Sequence, residues 1–492
     1  MALLYGANVN IIQIGSNKYF NNSEKNIATW RIAGGSARMF SEIECLHNIK
    51  KIFFIGIGGI SMSSLAFVCK KAGYDVAGSD RSESAMTQKL ADGGIPVFIG
   101  HDEKNIDGSD AVVYTGAIHA DNPELARAKR TGLPVIYRAT LLGSLMKNYS
   151  RRIGFSGMHG KSSATGMTAH LFLSAGKNPT VLSGAEMSEA GGAYILGGDE
   201  YFIFEACEYM DSFLHFSPTL SVILNVGLDH TDYFSGMEQI KNSFGRYADI
   251  AVQNGGAALV NGDDENSLSA TEGCTNRITF GITGKNLDYR AVNISYNKGR
   301  ASFSVMRGDR EIADIFLSVP GAHNIYNALA ASAAGDMHGL THDEISAGVS
   351  SFSGISRRFE YKGNAGGADV YIDYAHHPAE IAATIACARA ICDGRVICAF
   401  EPHTYSRTRA LYDDFISALS GADATVMLDV YAARETDTLG IDVREMAKCI
   451  KNGYYAENYA KCADMLRSLA GKNDIILILG AGTVCKIADF FV

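Results

Sequence analysis

Short runs of consecutive apolar residues recur along this chain, separated by longer amphipathic or alanine-rich stretches. KIFFI (51–55) is the first. It is too short for a stable helix and apolar after its first position, so it predicts a parallel strand buried on both faces. Gly56, Gly58 and Gly59 follow it, and a helix opening at Ser61 is expected to run to Lys71. DVAGSD (75–80), AVVYTGAI (111–118) and PVIY (134–137) read as further strands with helical stretches between them. A second unit begins at RRIGFSG (151–157). It carries strands at 201–205 and 220–226, a helix over 237–251, more polar strand-like sequence over 275–318, and an alanine-rich helix after PGAHN. A third begins near GISRRFEY (354–361), with strands VYIDYA (370–375), RVICAFEP (395–402), TVMLDV (425–430) and IILILG (475–480).

Strand and helix alternation of this kind predicts an α/β protein built on doubly wound parallel sheets. A chain of 492 residues is long enough for three cores of about 150 residues each. We expect an extension over 1–48, disordered or a start-site artefact, then domains over 49–149, 150–354 and 355–492. The first 38 residues are polar and without periodicity, and they show neither a signal-peptide core nor an arginine-rich amphipathic pattern. The natural start is expected at Met39.

Composition narrows the function classes. The net charge is −9, which argues against a nucleic-acid surface. No apolar run reaches the ~18 residues of a membrane span. The ten cysteines show no C-x-x-C pair and no zinc spacing. Cys69, Cys207, Cys387, Cys392, Cys398 and Cys485 lie among apolar or small residues and read as buried, reduced thiols.

The chemistry concentrates in FSGMHGKSSATG (155–166). Gly157, His159 and Gly160 lead into Lys161, Ser162 and Ser163 directly after an apolar strand. Backbone N–H groups of such a loop, with the helix behind it, form a phosphate cradle, and the lysine neutralises phosphate charge. The strict P-loop has glycine six positions before its lysine, whereas Phe155 stands there, so the match is incomplete. Glu205 ends the strand YFIFE, and His230 follows the next strand in NVGLDHTDYF. Ligands bind at the carboxyl ends of parallel strands, so Ser162, Glu205 and His230 are candidate Mg²⁺ ligands. The glycine loop at 56–59 resembles a dinucleotide fingerprint with Ser61 in place of the third glycine. By itself it also suits an NAD enzyme.

FIGIGGISMSSLA, GSD at 78–80, YTGAIHADNPE, GMHGKSSATG, EACEYMDSFL, NVGLDHTDYF, GAHNIYNALAA, SRRFE, DYAHHPAEI, EPHTYSRTR and LGAGTV occur in the order seen in the Mur ligase family. The chain resembles that family from about residue 49 to its end. The resemblance implies a Rossmann-like first domain, a central P-loop-type ATPase domain and a Rossmann-like C-terminal domain. It implies ATP, Mg²⁺, UDP-N-acetylmuramate and L-alanine as the interacting molecules, joined through an acyl phosphate. Gly56, Gly58, Gly59, Ser61 and Asp80 would bind the UDP-sugar. Gly157, His159, Gly160, Lys161, Ser162, Ser163, His323, Asn324, Arg358 and Asp373 would bind ATP. Tyr374, His376 and Arg407 would form the amino-acid pocket, with Lys161, His376 and Arg407 acting in catalysis and His376 as the base.

Met158 departs from the family pattern, as do Cys207, Tyr209, Met210 and Thr404. Glycine or serine remains an alternative acceptor. A peptide-recycling ligase of the same family and a non-catalytic UDP-sugar-binding regulator remain alternative readings. A cytoplasmic monomer or weak homodimer is expected.

Overall fold

The computed structural model describes residues 44–187, 192–228, 230, 233–433, 435–436 and 440–491. The expected Met39 start and most of the expected extension lie outside these residues. Part of the extension is ordered, however. Glu44–Leu46 form a 3-10 turn, and Leu46 is buried in the first core, so the packed chain begins before residue 49.

Three sheets divide the chain. The first contains β1 (Lys51–Ile55), β2 (Asp75–Asp80), β3 (Val97–Ile99), β4 (Ala111–Tyr114) and β5 (Val135–Tyr137) in the order β3-β2-β1-β4-β5, all parallel. The chain winds outward from β1 in both directions. The crevice over the carboxyl ends of β1 and β4 is therefore where the strand order reverses and a ligand fits.

The second sheet has ten strands. They are β6 (Arg151–Ser156), β7 (Thr180–Met187), β8 (Gly192–Ile195), β9 (Tyr201–Glu205), β10 (Leu220–Ile223), β11 (Ala257–Asn261), β12 (Arg277–Gly281), β13 (Tyr289–Asn297), β14 (Arg300–Arg307) and β15 (Arg310–Phe316). Their order is β15-β14-β13-β12-β11-β10-β6-β9-β7-β8. β6, β9 and β10 are parallel neighbours, and they carry the phosphate loop, Glu205 and the approach to His230. β13 to β15 form an antiparallel meander. Along β14 buried residues alternate with more exposed ones, as expected of a sheet with one wetted face, which explains the polar strand-like character of 275–318.

The third sheet contains β16 (Glu360–Ala365), β17 (Ala368–Asp373), β18 (Val396–Phe400), β19 (Ala424–Met427), β20 (Gly453–Tyr455) and β21 (Ile475–Leu479) in the order β16-β17-β21-β18-β19-β20. β21, sequence IILIL, sits between β17 and β18 and is buried at every position. Burial of a Leu or Ile side chain stabilises by roughly 1.5–3 kcal/mol each, so the most apolar strand is placed where both faces are covered.

The first helix starts at Ile60 rather than Ser61, with Gly59 as its N-cap. All ten cysteines are free thiols. Cys69, Cys387 and Cys398 are buried as expected. Cys207, Cys392 and Cys485 are only partly buried. Among the described residues no helix is long and apolar enough to cross a membrane.

Candidate active site

β6 delivers the chain into the Gly157–Gly160 loop, and the helix Lys161–Ser174 follows. Gly160 has φ 84°, and a Cβ there would come within 2.7 Å of Asn327 Oδ1. Only glycine is comfortable in both respects. The helix has no side-chain cap, so its first-turn N–H groups are directed at whatever anion enters. Asn225 braces the loop from the end of β10. Its Oδ1 accepts from His159 N at 2.9 Å, and its Nδ2 donates to His159 O at 3.1 Å. Lys161 Nζ donates to Gly157 O at 2.5 Å and lies 3.3 Å from Glu208.

The expected metal ligands divide into two groups. Ser162 Oγ donates to Glu205 Oε2 at 2.7 Å, and Gly184 N donates to the same oxygen at 2.9 Å. Glu205 is therefore occupied in tying the phosphate-loop helix to β7. The carboxylate facing His230 is Glu208 instead, with Oε1 3.4 Å from His230 Nε2. Glu208 is 1% exposed, and its Oε2 has no hydrogen-bond partner. Burial acts to raise its carboxyl, but the Lys161 charge and the hydrogen bond from His230 hold it below its ordinary value. Burial likewise works against the Lys161 ammonium, and its acidic neighbours, Glu208 foremost with Cys207 and Glu205, more than reverse this. An ionised, partly orphaned carboxylate beside an imidazole and a phosphate loop fits a divalent cation that completes its shell with water and phosphate oxygen. Of the three expected metal ligands, Ser162 and Glu205 are thus bonded to each other, while His230 faces Glu208.

A cavity of about 290 Å³ lies between the central and C-terminal domains. His159, Gly160 and Ser163 of the phosphate loop line it, together with His323 and Asn324 at the start of the helix His323–Met337. Arg358 and Asp373 enter from the third domain. Gly157, Lys161 and Ser162 do not line it. Asn324 is fixed by donating to Pro320 O at 2.7 Å and accepting from Asn327 Nδ2 at 2.9 Å. Burial, with Arg358 and His159 nearby, lowers the His323 pKa and keeps it neutral. Asp373 accepts from Phe359 N and Ala375 N, each at 2.7 Å. Burial raises its carboxyl despite Arg358. The two arginines of SRRFE have separate tasks. Arg357 donates to Gly480 O and Gly482 O at 2.8 and 2.9 Å, whereas Arg358 faces the cavity.

Glu380 joins the two domains across this cleft. It stands in the first turn of the helix Pro378–Ile391 and reaches His159 Nδ1 at 3.2 Å through Oε1. Its Oε2 accepts from His376 N and His377 N at 3.1 and 3.2 Å. Burial opposes its charge, but the hydrogen bond from His159 and the nearness of His376 hold its carboxyl far below the usual range. His376 Nδ1 lies 3.0 Å from Tyr374 O and 3.3 Å from Glu380 Oε2. Both neighbours accept, so Nδ1 carries the hydrogen and Nε2 keeps its lone pair. Burial, only partly offset by Glu380, lowers the His376 pKa. Tyr374 lies edge-on to His376 and beneath both arginines, with guanidinium carbons 4.8 and 5.0 Å from its ring centre. The His403 ring centre is 6.0 Å from that of His376. Burial, with His376 and Arg407 beside it, pushes His403 down to about 4. Arg407 lies in the short helix Tyr405–Ala410.

In the first domain Gly56, Gly58 and Gly59 form the turn from β1 into an uncapped helix of twelve residues that includes Ser61. Asp80, one of the expected UDP-sugar residues, accepts from Gly58 N at 2.9 Å through Oδ2. It holds the loop in shape from the end of β2.

Glu208, Glu380, Asn225 and His403 escaped the sequence reading. EACEYMDSFL contains both glutamates, and strand-end reasoning selects the first. The choice of the second depends on the chain turning back through Met210 and Asp211, at φ 54° and 55°. Glu380 is the third residue of the helix that Pro378 opens, a position that suits capping.

Three successive stretches match known domains. Residues 51–150 match the Mur ligase family catalytic domain, 156–335 the Mur ligase middle domain, and 357–482 the Mur ligase glutamate ligase domain. With three α/β domains in that order and a phosphate loop opening on the third, the chain belongs to the Mur ligase family. Within it, the chain is similar to the UDP-N-acetylmuramate–L-alanine ligase of Acetivibrio thermocellus, at 43% identity over 451 residues, 90% of this chain and 96% of that protein. It is 44% identical over 446 residues to the ligase of the same name from Caldicellulosiruptor bescii, covering 90% of this chain and 98% of that one. The crystal structure of a UDP-N-acetylmuramate–alanine ligase from Thermotoga maritima superposes with TM-score 0.76 at 27% identity, over 90% of this chain and 98% of that one. A murein peptide ligase from Psychrobacter arcticus shares the fold, with TM-score 0.66 at 22% identity over 90% and 98% of the two chains.

Proposed function

We infer that this chain is an ATP-dependent ligase that joins L-alanine to the lactyl carboxylate of UDP-N-acetylmuramate in peptidoglycan precursor synthesis. The observation that carries this is its end-to-end similarity, above 40% identity over 90% of the chain, to ligases of that name. The cleft supplies the chemistry. An amine does not displace hydroxide from a carboxylate at neutral pH, and phosphorylation of the carboxylate provides a better leaving group.

In this reading Gly157, His159, Gly160 and the uncapped helix behind them hold the ATP phosphates. Lys161 leaves its loop carbonyl to neutralise the transferring phosphoryl group. His323, Asn324, Arg358 and Asp373 hold the rest of the nucleotide. Mg²⁺ held by Glu208 and His230 would offset the phosphate charge. Gly56, Gly58, Gly59 and Ser61 offer a helix N-terminus to the UDP pyrophosphate, and Asp80 keeps that loop in register. Arg407 presents a planar fork to the alanine carboxylate. His376, with Nε2 free to accept, removes the ammonium proton before the amine attacks the acyl phosphate. Tyr374 and Glu380 fix the imidazole. Closure of the third domain would exclude water from the acyl phosphate. Free cysteines and the use of ATP support a cytoplasmic setting.

The test is phosphate release by the purified protein with ATP, Mg²⁺ and UDP-N-acetylmuramate, scanning L-alanine, glycine, L-serine and L-Ala-γ-D-Glu-diaminopimelate. Release dependent on L-alanine, with the matching product by mass spectrometry, is expected. Release with the tripeptide alone would move the chain to peptide recycling. Nucleotide binding without release would mark a regulator.

A further inference from the structure

Cys207 Sγ, a carboxylate oxygen of Glu208 and a ring nitrogen of His230 all lie within 4.8 Å of one another. The function above uses only the last two. Mg²⁺ takes oxygen ligands and gains little from sulfur. A borderline or soft dication is served far better, because one thiolate, one imidazole and one carboxylate leave a fourth tetrahedral place for water. Zinc bonds of about 2.0–2.3 Å set ligand atoms roughly 3.3–3.8 Å apart, so these three need draw in by about an ångström. A second observation points at a cation. Glu208 is 1% exposed, its Oε1 faces His230 Nε2 at 3.4 Å, and its Oε2 makes no hydrogen bond. Lys161 is the cation that faces it at 3.3 Å, and nucleotide phosphates would draw that ammonium away.

We propose that Cys207, Glu208 and His230 form a tight site for Zn²⁺ and similar transition-metal ions, and that such an ion inhibits the ligase by taking the place of Mg²⁺. The inhibitory part rests on the functional reading above; the binding part does not. On binding, the Cys207 S–H bond breaks, its proton passes to solvent, and a sulfur–metal bond forms with no change in oxidation state.

Co²⁺ reports the ligand set in the full-length, reduced protein. Wild type is expected to show an intense near-ultraviolet sulfur-to-cobalt band with tetrahedral visible bands. Cys207→Ser is expected to lose the ultraviolet band and to bind Zn²⁺ about ten-fold more weakly or worse, since even indirect partners of a metal are worth that much. Its Mg²⁺-supported phosphate release is expected to be unchanged, and it should survive Zn²⁺ concentrations that stop the wild type. Should the serine variant fail to fold, Cys207→Ala serves, with folding checked by circular dichroism. The same ultraviolet band and the same Zn²⁺ isotherm in wild type and variant would overturn the site. Absence of turnover in the wild type would overturn the functional reading and leave the spectrum and isotherm to decide the site.

Discussion

Replacing Glu208 by glutamine removes one charge from a position that is 1% exposed. Lys161, 14% exposed at its side chain, then faces a neutral amide. Removing one partner of a buried ion pair costs about 3–5 kcal/mol when the other is left with nothing. Here Lys161 keeps its donations to Gly157 O at 2.5 Å and Met158 O at 3.4 Å. The expected loss is therefore smaller, about 2 kcal/mol. The same change removes the ionised oxygens facing His230, so the Mg²⁺ concentration giving half-maximal phosphate release should rise by more than about ten-fold. Glu205→Gln is the comparison. Its Oε2 accepts from Ser162 and Gly184, and an amide oxygen can still accept, so stability should fall by only about 1 kcal/mol. Its Mg²⁺ requirement should move little. Urea denaturation and Mg²⁺ titration at saturating ATP, UDP-N-acetylmuramate and L-alanine measure both effects. A large Mg²⁺ shift in Glu205→Gln with none in Glu208→Gln would refute the assignment.

Three further outcomes are expected. Burial and nearby positive groups hold His403 at about 4, and burial lowers His323 and His376 below the usual 6.5. Between those limits the unfolded chain binds more protons than the folded one, so stability is fully present above 6.5 and falls as pH drops towards 4. His403→Gln should flatten that acid limb by about 1–2 kcal/mol after allowance for screening at a part-exposed ring. An unchanged slope in denaturant melts would count against this. Gly160→Ala places a Cβ at φ 84° and 2.7 Å from Asn327 Oδ1; it should cost about 1–3 kcal/mol and weaken nucleotide binding, as read by thermal shift with and without ATP. Lys161→Ala should abolish ADP release yet leave UDP-sugar binding intact by calorimetry, whereas Asp80→Ala, by freeing Gly58 N, should weaken the UDP-sugar and spare ATP; loss of both ligands in either variant would sink the division of labour between domains.

Much of the scaffold was legible because its strands are apolar throughout. KIFFI, YFIFE and IILIL form strands at the expected places, since a parallel strand covered on both faces is apolar along most of its length. Shorter or more polar strands were missed. Val97–Ile99, Glu360–Ala365 and Gly453–Tyr455 lie at sheet edges, where one side pairs with nothing and local pattern carries less weight. Thr180–Met187, after the phosphate-loop helix, and Ala257–Asn261, between two helices, went unread.

Local spacing pointed to the phosphate loop, Glu205 and His230, whereas His323, Asn324, Arg358, Asp373, Tyr374, His376 and Arg407 came from the resemblance to the Mur ligase family. A glycine-lysine-hydroxyl loop after a buried strand fits an anion cradle, because its backbone geometry is set within a few residues. Which acid meets which cation is a different kind of fact. Glu205 and Glu208 are three residues apart, and either could have faced His230. The left-handed turn at Met210 and Asp211 and the pairing of β6 with β9 and β10 decided for Glu208. Glu380 reaches His159 from more than two hundred positions away, and Arg358 and Asp373 enter a cavity walled mainly by another domain. Local chemistry is written in short-range pattern, because a turn, a cap or a buried strand depends on near neighbours. Partnership across a cleft depends on how whole sheets pack, and that was settled only when the three domains came together.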